Sequence, residues 1–368
     1  MKKIAIVQRH VTDYRINFYN DLHNRLKNKN YYLKVYAGET GSNQENKFLN
    51  CGINNLNCGE KVKNISFSNS IYWQNIFLKL QGYDLVICEQ ANSTLINYPL
   101  IFWKSISNKS PRFAYWGHGL SLDKKSSKFS TFIKKKLALK ADYWFAYTEY
   151  TKSLLIDLDI QEEKISVINN SIDLKSTHNI IESKKSDLKS TDTKNIIVCS
   201  RLVKSKRIPF IIEACEIARR KITNLKLTII GDGPENESIR LICKNKNWVD
   251  MKGSLFGLNK SKALIEGDIM CLPSHVGLSI LDGFSAKLPV LVADFKNHCP
   301  EISYFENNYN GIMTDANIKS YASKIVYLLG DNKILKRFSS NAFKTSKKYS
   351  HEKMVDNFCN GIIKCLQD

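Results

Sequence analysis

The chain has 368 residues, and with typical domains of roughly 100–200 residues two domains are expected. Hydrophobic residues make up 43% and charged residues 24%, ordinary globular usage that excludes a disordered or fibrous chain. Lysine and arginine number 55 against 35 aspartates and glutamates, a net charge of +20. That excess points to anionic partners: nucleic acid, a phospholipid surface or phosphorylated small molecules.

The N-terminus reads MKKIAIVQRH, where two lysines imitate a signal-peptide n-region, but only Ile4 to Val7 follow as an apolar run. This argues against secretion. Strands are predicted over 3–8, 32–37, 84–88, 113–116, 142–146 and 164–168, with helical spacing over 16–26, 70–80, 128–141 and 151–158. The alternation implies βα units on a parallel sheet. The longest apolar stretch, Thr94 to Trp103, is broken by Asn97 and Pro99. It falls short of the ~20 residues a spanning helix needs, so a soluble cytoplasmic protein is expected. Residues 1–174 are read as an N-terminal domain and the polar, aperiodic segment 175–194 as a linker. A second α/β series fills 195–345: strands over 195–199, 226–230, 269–272 and 290–293, and helices over 208–221, 235–245 and 278–287. A C-terminal helix within 346–368 is expected to pack back on the N-terminal domain. Two Rossmann-like halves predict a cleft between them, with ligands at the carboxyl ends of the strands.

The ten cysteines include no C-x-x-C pair, and Cys88, Cys199 and Cys271 lie in apolar runs. They read as small buried hydrophobes in a reducing compartment, with neither a disulfide frame nor a zinc site. Asp157-Leu158-Asp159 imitates a metal-binding D-x-D but stands at the end of a helical run, away from any glycine-rich loop, so no metal is expected. Lysines 124, 125, 128, 134, 135, 136 and 140 surround the apolar stripe Phe129, Phe132, Ile133 and Leu137. Such a helix suits either peripheral contact with anionic lipid or packing against the sheet. The lysine excess, in a chain also rich in Asn and Ile, is also what the codon bias of an AT-rich genome would give.

Three segments of the second half carry chemistry. Ser200-Arg201-Leu202-Val203-Lys204-Ser205-Lys206 places two cations on a loop after a strand, where Arg201 offers a forked contact and Lys206 a point charge to a diphosphate. Gly231-Asp232-Gly233-Pro234 ends the next strand, its glycines permitting close backbone approach by a ligand. The segment from Pro273-Ser274 through Gly277-Leu278-Ser279 to Asp282 and Pro289-Val290 runs from a strand into a helix whose free N–H groups suit a phosphate. Asp282, one turn in, offers a carboxylate to ribose hydroxyls.

In order and spacing these segments, with Asn170-Ser171-Ile172-Asp173, resemble the retaining glycosyltransferases of family 4 (group 1), of the type that builds bacterial polysaccharide and lipopolysaccharide. The resemblance covers about residues 143–315. It implies the GT-B fold, an α/β architecture of two Rossmann-like domains with parallel sheets facing an interdomain cleft. It also implies transfer of a sugar from a nucleotide-diphospho-sugar to a glycan or lipid-linked acceptor, as in O-antigen or capsule synthesis on the inner face of the cytoplasmic membrane, without metal or other cofactor. By this resemblance Arg201 and Lys206 hold the donor diphosphate. Gly231, Gly233, Leu255, Gly277, Leu278 and Ser279 line the donor, and Asp282 meets the ribose. His118, in Tyr115-Trp116-Gly117-His118-Gly119, is the catalytic-site candidate against the donor sugar. Arg15 and Glu89 are candidates for the acceptor side. The family's first glutamate falls at Ser274 and its second at Asp282, and Lys287 replaces a helix-end glycine.

Two rivals are a nucleotide-sugar 2-epimerase on the same scaffold and a basic nucleic-acid-binding protein. No RNP-type aromatic motif, zinc spacing or helix-turn-helix pattern supports the latter. A nicotinamide dehydrogenase is disfavoured because Gln8-Arg9-His10 follows the first strand in place of G-x-G-x-x-G.

Overall fold

The computed structural model describes residues 1–38, 52–68, 71–119, 132, 135–183, 192–296 and 298–367. The chain divides into two compact units: unit 1 is Met1–Ile172 with His351–Asp368, and unit 2 is Asp173–Ser350.

Unit 1 carries strands β1 (Lys2–Gln8), β2 (Tyr31–Ala37), β3 (Gly59–Lys61), β4 (Asn64–Ser66), β5 (Tyr72–Gln74), β6 (Leu85–Glu89), β7 (Arg112–Gly117), β8 (Tyr143–Ala146) and β9 (Ile165–Val167). Seven form a parallel sheet in the order β3-β2-β1-β6-β7-β8-β9, while β4 and β5 pair antiparallel. Ile4, Ala5, Ile6 and Val7 are all fully buried, with Ile4 and Ile6 in one core and Ala5 and Val7 in another. Side chains alternate along a strand, so an unbroken apolar run means that both faces of the sheet are covered. Helices α1 (Ile16–Lys27), α2 (Asn97–Ile106) and α3 (Glu149–Ile156) supply part of that cover; α1 buries Phe18, Tyr19, Leu22 and Leu26 at helical spacing.

Unit 2 begins with α4 (Lys175–Ser183) and continues with β10 (Lys194–Cys199), α5 (Ile208–Arg219), β11 (Leu225–Ile230), α6 (Asn236–Cys243), β12 (Val249–Gly253), α7 (Gly257–Ile265) and β13 (Ile269–Cys271). Next come α8 (Ser279–Ser285), β14 (Val290–Ala293), β15 (Gly311–Thr314), α9 (Ile318–Gly330) and α10 (Asn332–Lys348). Its six strands lie parallel in the order β12-β11-β10-β13-β14-β15. Counted within the unit this is 3-2-1-4-5-6, the doubly wound order, and the direction of winding reverses between β10 and β13. In unit 1 the reversal falls between β1 and β6.

The last helix, α11 (His351–Gln367), belongs to unit 1. Met354, Val355, Phe358, Cys359, Ile362, Cys365 and Leu366 enter the same core as α1. The Phe358 ring stacks on Phe145 with centroids 4.4 Å apart. A Cβ on Gly361 would meet Phe145 Cε1 at 2.8 Å and Ser166 Cβ at 2.9 Å, so the helix backbone lies almost against the sheet.

Several expectations are corrected. Residues 70–80, read as a helix, hold β5 and a short 3-10 turn, because Tyr72 buries its ring and bonds Thr94 through its hydroxyl at 2.9 Å. Segment 175–194, read as a linker, contains α4, which buries Thr177 and Ile181 and joins Thr177 Oγ1 to Ser261 Oγ at 2.9 Å. Of the helical reading over 128–141, residues 128–131, 133 and 134 lie outside the described residues, and 135–138 are helical. Helices α2 and α7 and strands β3, β4, β12 and β15 went unread.

Candidate functional site

In an open parallel sheet the loops at the point of reversal diverge and leave a crevice beyond the carboxyl ends of the strands. In unit 2 the loops after β10 and β13 frame it. Ser200 N–H donates to Ile230 O at 3.0 Å, Leu202 N–H to Asp232 O at 2.9 Å and Glu235 N–H to Leu202 O at 3.0 Å, which fastens the β10 loop to the β11 loop. A Cβ on Gly231 (φ +142°) would stand 1.9 Å from Ser200 O, and one on Gly233 2.4 Å from Leu202 O. The close approach that demands these two glycines is made by the protein's own 200–202 backbone. Asp232 Oδ1 accepts from Gly233 N–H at 2.7 Å and Asn236 Nδ2 at 2.5 Å, holding the turn shut.

Lys206 reaches across the crevice: its Nζ donates to His275 O at 2.6 Å. Burial lowers its pKa, while Glu301, itself 3% exposed, acts in the opposite direction. Arg201 on the same loop is exposed. On the β13 side His275 takes a left-handed backbone (φ 51°). The His298 ring then braces the loop: Val276 N–H donates to Nδ1 at 3.2 Å, and Nε2 meets Ala293 O at 3.0 Å, so the proton is assigned to Nε2. Burial lowers the pKa of His298, consistent with a neutral ring that both donates and accepts.

The loop passes half-buried Gly277 and Leu278 into α8, where Leu278 provides no side-chain cap. Two hydroxyl oxygens flank this crevice, Ser200 Oγ after β10 and Ser279 Oγ at the start of α8. Both are buried and without a hydrogen-bond partner, an arrangement that buried polar groups rarely keep. Ser274, where the family pattern has a glutamate, is buried. Asp282, one turn into α8, is paired with Lys260 of α7, Nζ to Oδ1 at 2.8 Å. Leu255 is half-buried beside exposed Phe256 on the loop between β12 and α7.

In unit 1 the corresponding crevice lies between β1 and β6. Glu89 ends β6 beside Trp116 of β7 and is half-buried. Burial raises its carboxyl pKa against the opposing pull of the Arg9 backbone N–H and charge. His118 follows β7, exposed, with its ring edge-on to Tyr147 at 4.3 Å. A Cβ on Gly117 would lie 2.7 Å from Gln90 Cβ, and the Gln90 amide donates to Gly119 O.

Arg15 departs from its expected acceptor-side position. It is 7% exposed, with its guanidinium over the rings of Tyr14, Phe18 and Trp116. Its Nη1 meets Ser171 O and Met354 Sδ, and its Nη2 donates to Asn170 Oδ1, so this side chain serves the interior of unit 1. Asp157 caps the end of α3 and Asp159 is left-handed, so the D-x-D marks a helix terminus. Among the described residues no cluster of three or more His, Cys, Asp or Glu could hold a metal ion, and no helix is long and apolar enough to cross a membrane. Sequence reading missed Lys260, Glu301 and the hydroxyl of Ser200. Only Pro300-Glu301 at a helix start offered a signal for any of them.

Residues 179–345 match the family described as Glycosyl transferases group 1. The poly(ribitol-phosphate) alpha-N-acetylglucosaminyltransferase of Staphylococcus aureus (strain COL) is 30% identical over 169 residues, 44% of this chain and 34% of that protein. The poly(glycerol-phosphate) alpha-glucosyltransferase of Bacillus subtilis (strain 168) is 26% identical over 178 residues, 46% of this chain and 26% of that protein. The chain thus matches about a third or less of the length of these curated relatives. Among solved structures, HepE of Anabaena in complex with UDP superposes with a TM-score of 0.72 at 14% identity, covering 99% of this chain and 100% of that one. The pneumococcal O-GlcNAc transferase GtfA in complex with UDP and GlcNAc gives 0.70 at 13%, covering 100% and 99%. The α/β architecture with its two parallel sheets is that of the GT-B glycosyltransferases.

Proposed function

We propose, for a chain that carries a glycosyltransferase group 1 match over residues 179–345 and adopts the GT-B fold, that it transfers a sugar from a uridine-diphosphate donor to a glycan, polyol-phosphate or lipid-linked acceptor of a bacterial surface polymer. The observation that carries this reading is the crevice of unit 2. There a half-buried ammonium, Lys206, stands on the loops that also hold two buried, unpartnered hydroxyls, Ser200 and Ser279. A diphosphate supplies acceptors for all three. The names of the S. aureus and B. subtilis relatives support the acceptor class, and the UDP complexes of HepE and GtfA support the base.

In the proposed reaction the acceptor hydroxyl oxygen bonds to the anomeric carbon as the bond from that carbon to the diphosphate breaks. The diphosphate leaves with the bonding pair and takes the hydroxyl proton. Arg201 and Lys206 neutralise the leaving charge from positions set before the reaction begins, without metal. Gly277, Leu278 and Ser279 are assigned to the sugar and phosphates, Leu255 to the base and Asp282 to the ribose. Within unit 1, Glu89 is proposed to orient the acceptor and His118 to act on the reacting groups. Family 4 membership, retention of configuration and peripheral contact with anionic membrane through the lysines near Phe132 complete the reading.

Thermal stabilisation by UDP-, GDP-, ADP- and CMP-linked sugars, without metal, tests it on the wild type and Arg201→Ala. A ligand at about 100 times its Kd adds about 2.7 kcal/mol to the folded state. One donor should raise the melting temperature of the wild type, and Arg201→Ala should lose that rise. No shift with any of the four overturns the reading, and turnover of the donor without an acceptor moves it to the epimerase.

A further inference from the structure

Lys260 stands in none of the motifs, yet it is the partner that the fold gives to Asp282. Its Nζ donates to Oδ1 at 2.8 Å, with side-chain exposures of 26% for the lysine and 11% for the aspartate. An ion pair withdrawn from water this far is weak as a stabilising device, because desolvation offsets most of the attraction. Its position is more informative. Asp282 lies in the first turn of α8, and Lys260 is close enough to feel both Cys199, the last residue of β10, and Asp173. The pair therefore sits at the carboxyl end of the strand beside the reversal point. The Asp282 carboxylate raises the pKa of Lys260 against the opposing effect of burial and keeps it charged.

An ammonium has three N–H donors and a carboxylate two acceptor oxygens, and their mutual bond uses one of each. A hydroxyl both donates and accepts, so a carboxylate alone satisfies half of it. A carboxylate and an ammonium side by side satisfy both halves, and two adjacent hydroxyls can bridge such a pair. We propose that Lys260 and Asp282 together bind the ribose diol of the nucleotide donor, Asp282 accepting from its hydroxyls and Lys260 donating to them. This rests on the donor reading above and adds a residue to it. Aspartate is one methylene shorter than glutamate, and the lysine brings a second polar group to the same diol.

Calorimetric binding of UDP, ADP and GDP, and of their 2′-deoxy and 3′-deoxy forms, to the full chain is the test. The wild type should prefer a ribonucleotide over at least one of its deoxy forms by about tenfold or more, the worth of a hydrogen bond to a charged group. Lys260→Met should bind that deoxy form as the wild type does while its preference shrinks to within about threefold, and Lys260→Arg should keep the preference. An unchanged preference in Lys260→Met, or an equal loss for ribo and deoxy forms, overturns the proposal and leaves the donor reading standing. Should the methionine variant fail to fold by circular dichroism, Lys260→Gln is judged by the same ratio. A wild type that binds none of the nucleotides overturns both.

Discussion

Lys206 Nζ donates to the carbonyl oxygen of His275 at 2.6 Å, joining the loop after β10 to the loop after β13 across the line where the sheet of unit 2 reverses its winding. One cation thereby sets the width of the crevice and supplies charge inside it. The left-handed backbone at His275 turns that carbonyl toward the lysine's side of the loop, and the His298 brace fixes the residue that follows.

Replacing Lys206 with alanine should weaken nucleoside-diphosphate binding by about 1.5–3 kcal/mol, roughly 10–100-fold in Kd, as expected for a hydrogen bond to a charged group. Burial has lowered this lysine's pKa. The charged form that a diphosphate needs is present below that lowered value and is lost as pH rises through it. Affinity should therefore fall at an earlier alkaline pH than an exposed lysine would allow. Lys206→Arg, charged throughout, should flatten the profile; calorimetry from neutral to alkaline pH decides.

Gly231→Ala should destabilise the protein by about 2–4 kcal/mol and remove its thermal response to nucleotide. The new methyl would stand 1.9 Å from Ser200 O at a φ of +142°, so the β10 loop must move. Gly330→Ala, with nothing within 4 Å of the added Cβ, is the control and should be neutral or stabilising in urea denaturation.

Arg15→Met should cost about 2–4 kcal/mol of stability, since the variant loses the charged hydrogen bonds of the guanidinium to Asn170 Oδ1 and Ser171 O and its contact with the Phe18 and Trp116 rings in the interior. Urea midpoints measure it. A variant that loses sugar transfer at unchanged stability would return Arg15 to the substrate side.

Glu89→Gln should melt above the wild type at neutral pH. Burial raises the Glu89 carboxyl pKa in the fold, so ionisation is disfavoured there relative to the unfolded chain. The resulting penalty is present above the raised value and disappears as pH falls through the ordinary carboxylate range. The gap in melting temperature between the two proteins should close on acidification, and a constant gap would assign it to packing.

Much of this architecture was legible because parallel strands covered on both faces must be apolar without a break, as Ile4 to Val7 and Val290 to Ala293 are. The cations of the β10 loop were legible for a similar reason: Arg201 and Lys206 follow a strand end, and the topology converts that position into a crevice. What escaped depends on partners distant in sequence. Tyr72 and Trp73 fit a helical pattern until β4 and Thr94 are present to pair with them. The α4 helix hides among Ser, Thr and Lys because its buried side is only Thr177 and Ile181. Arg15 reads as exposed by its charge, and only the ring system of Phe18 and Trp116, capped by Met354, makes room for it. Lys260 carries no local pattern at all.

The crossing of α11 back to the sheet of unit 1 also bears on how the protein is made. A ribosome that has finished Ile172 has produced every strand of the first sheet, yet the core residues from Met354 to Leu366 are still untranslated, behind the whole of unit 2. The nascent chain must carry a bare apolar face through that interval, where chaperones act on exposed hydrophobic surface. A message cut short before codon 351 would yield a first unit with that face permanently open, marked for aggregation or proteolysis.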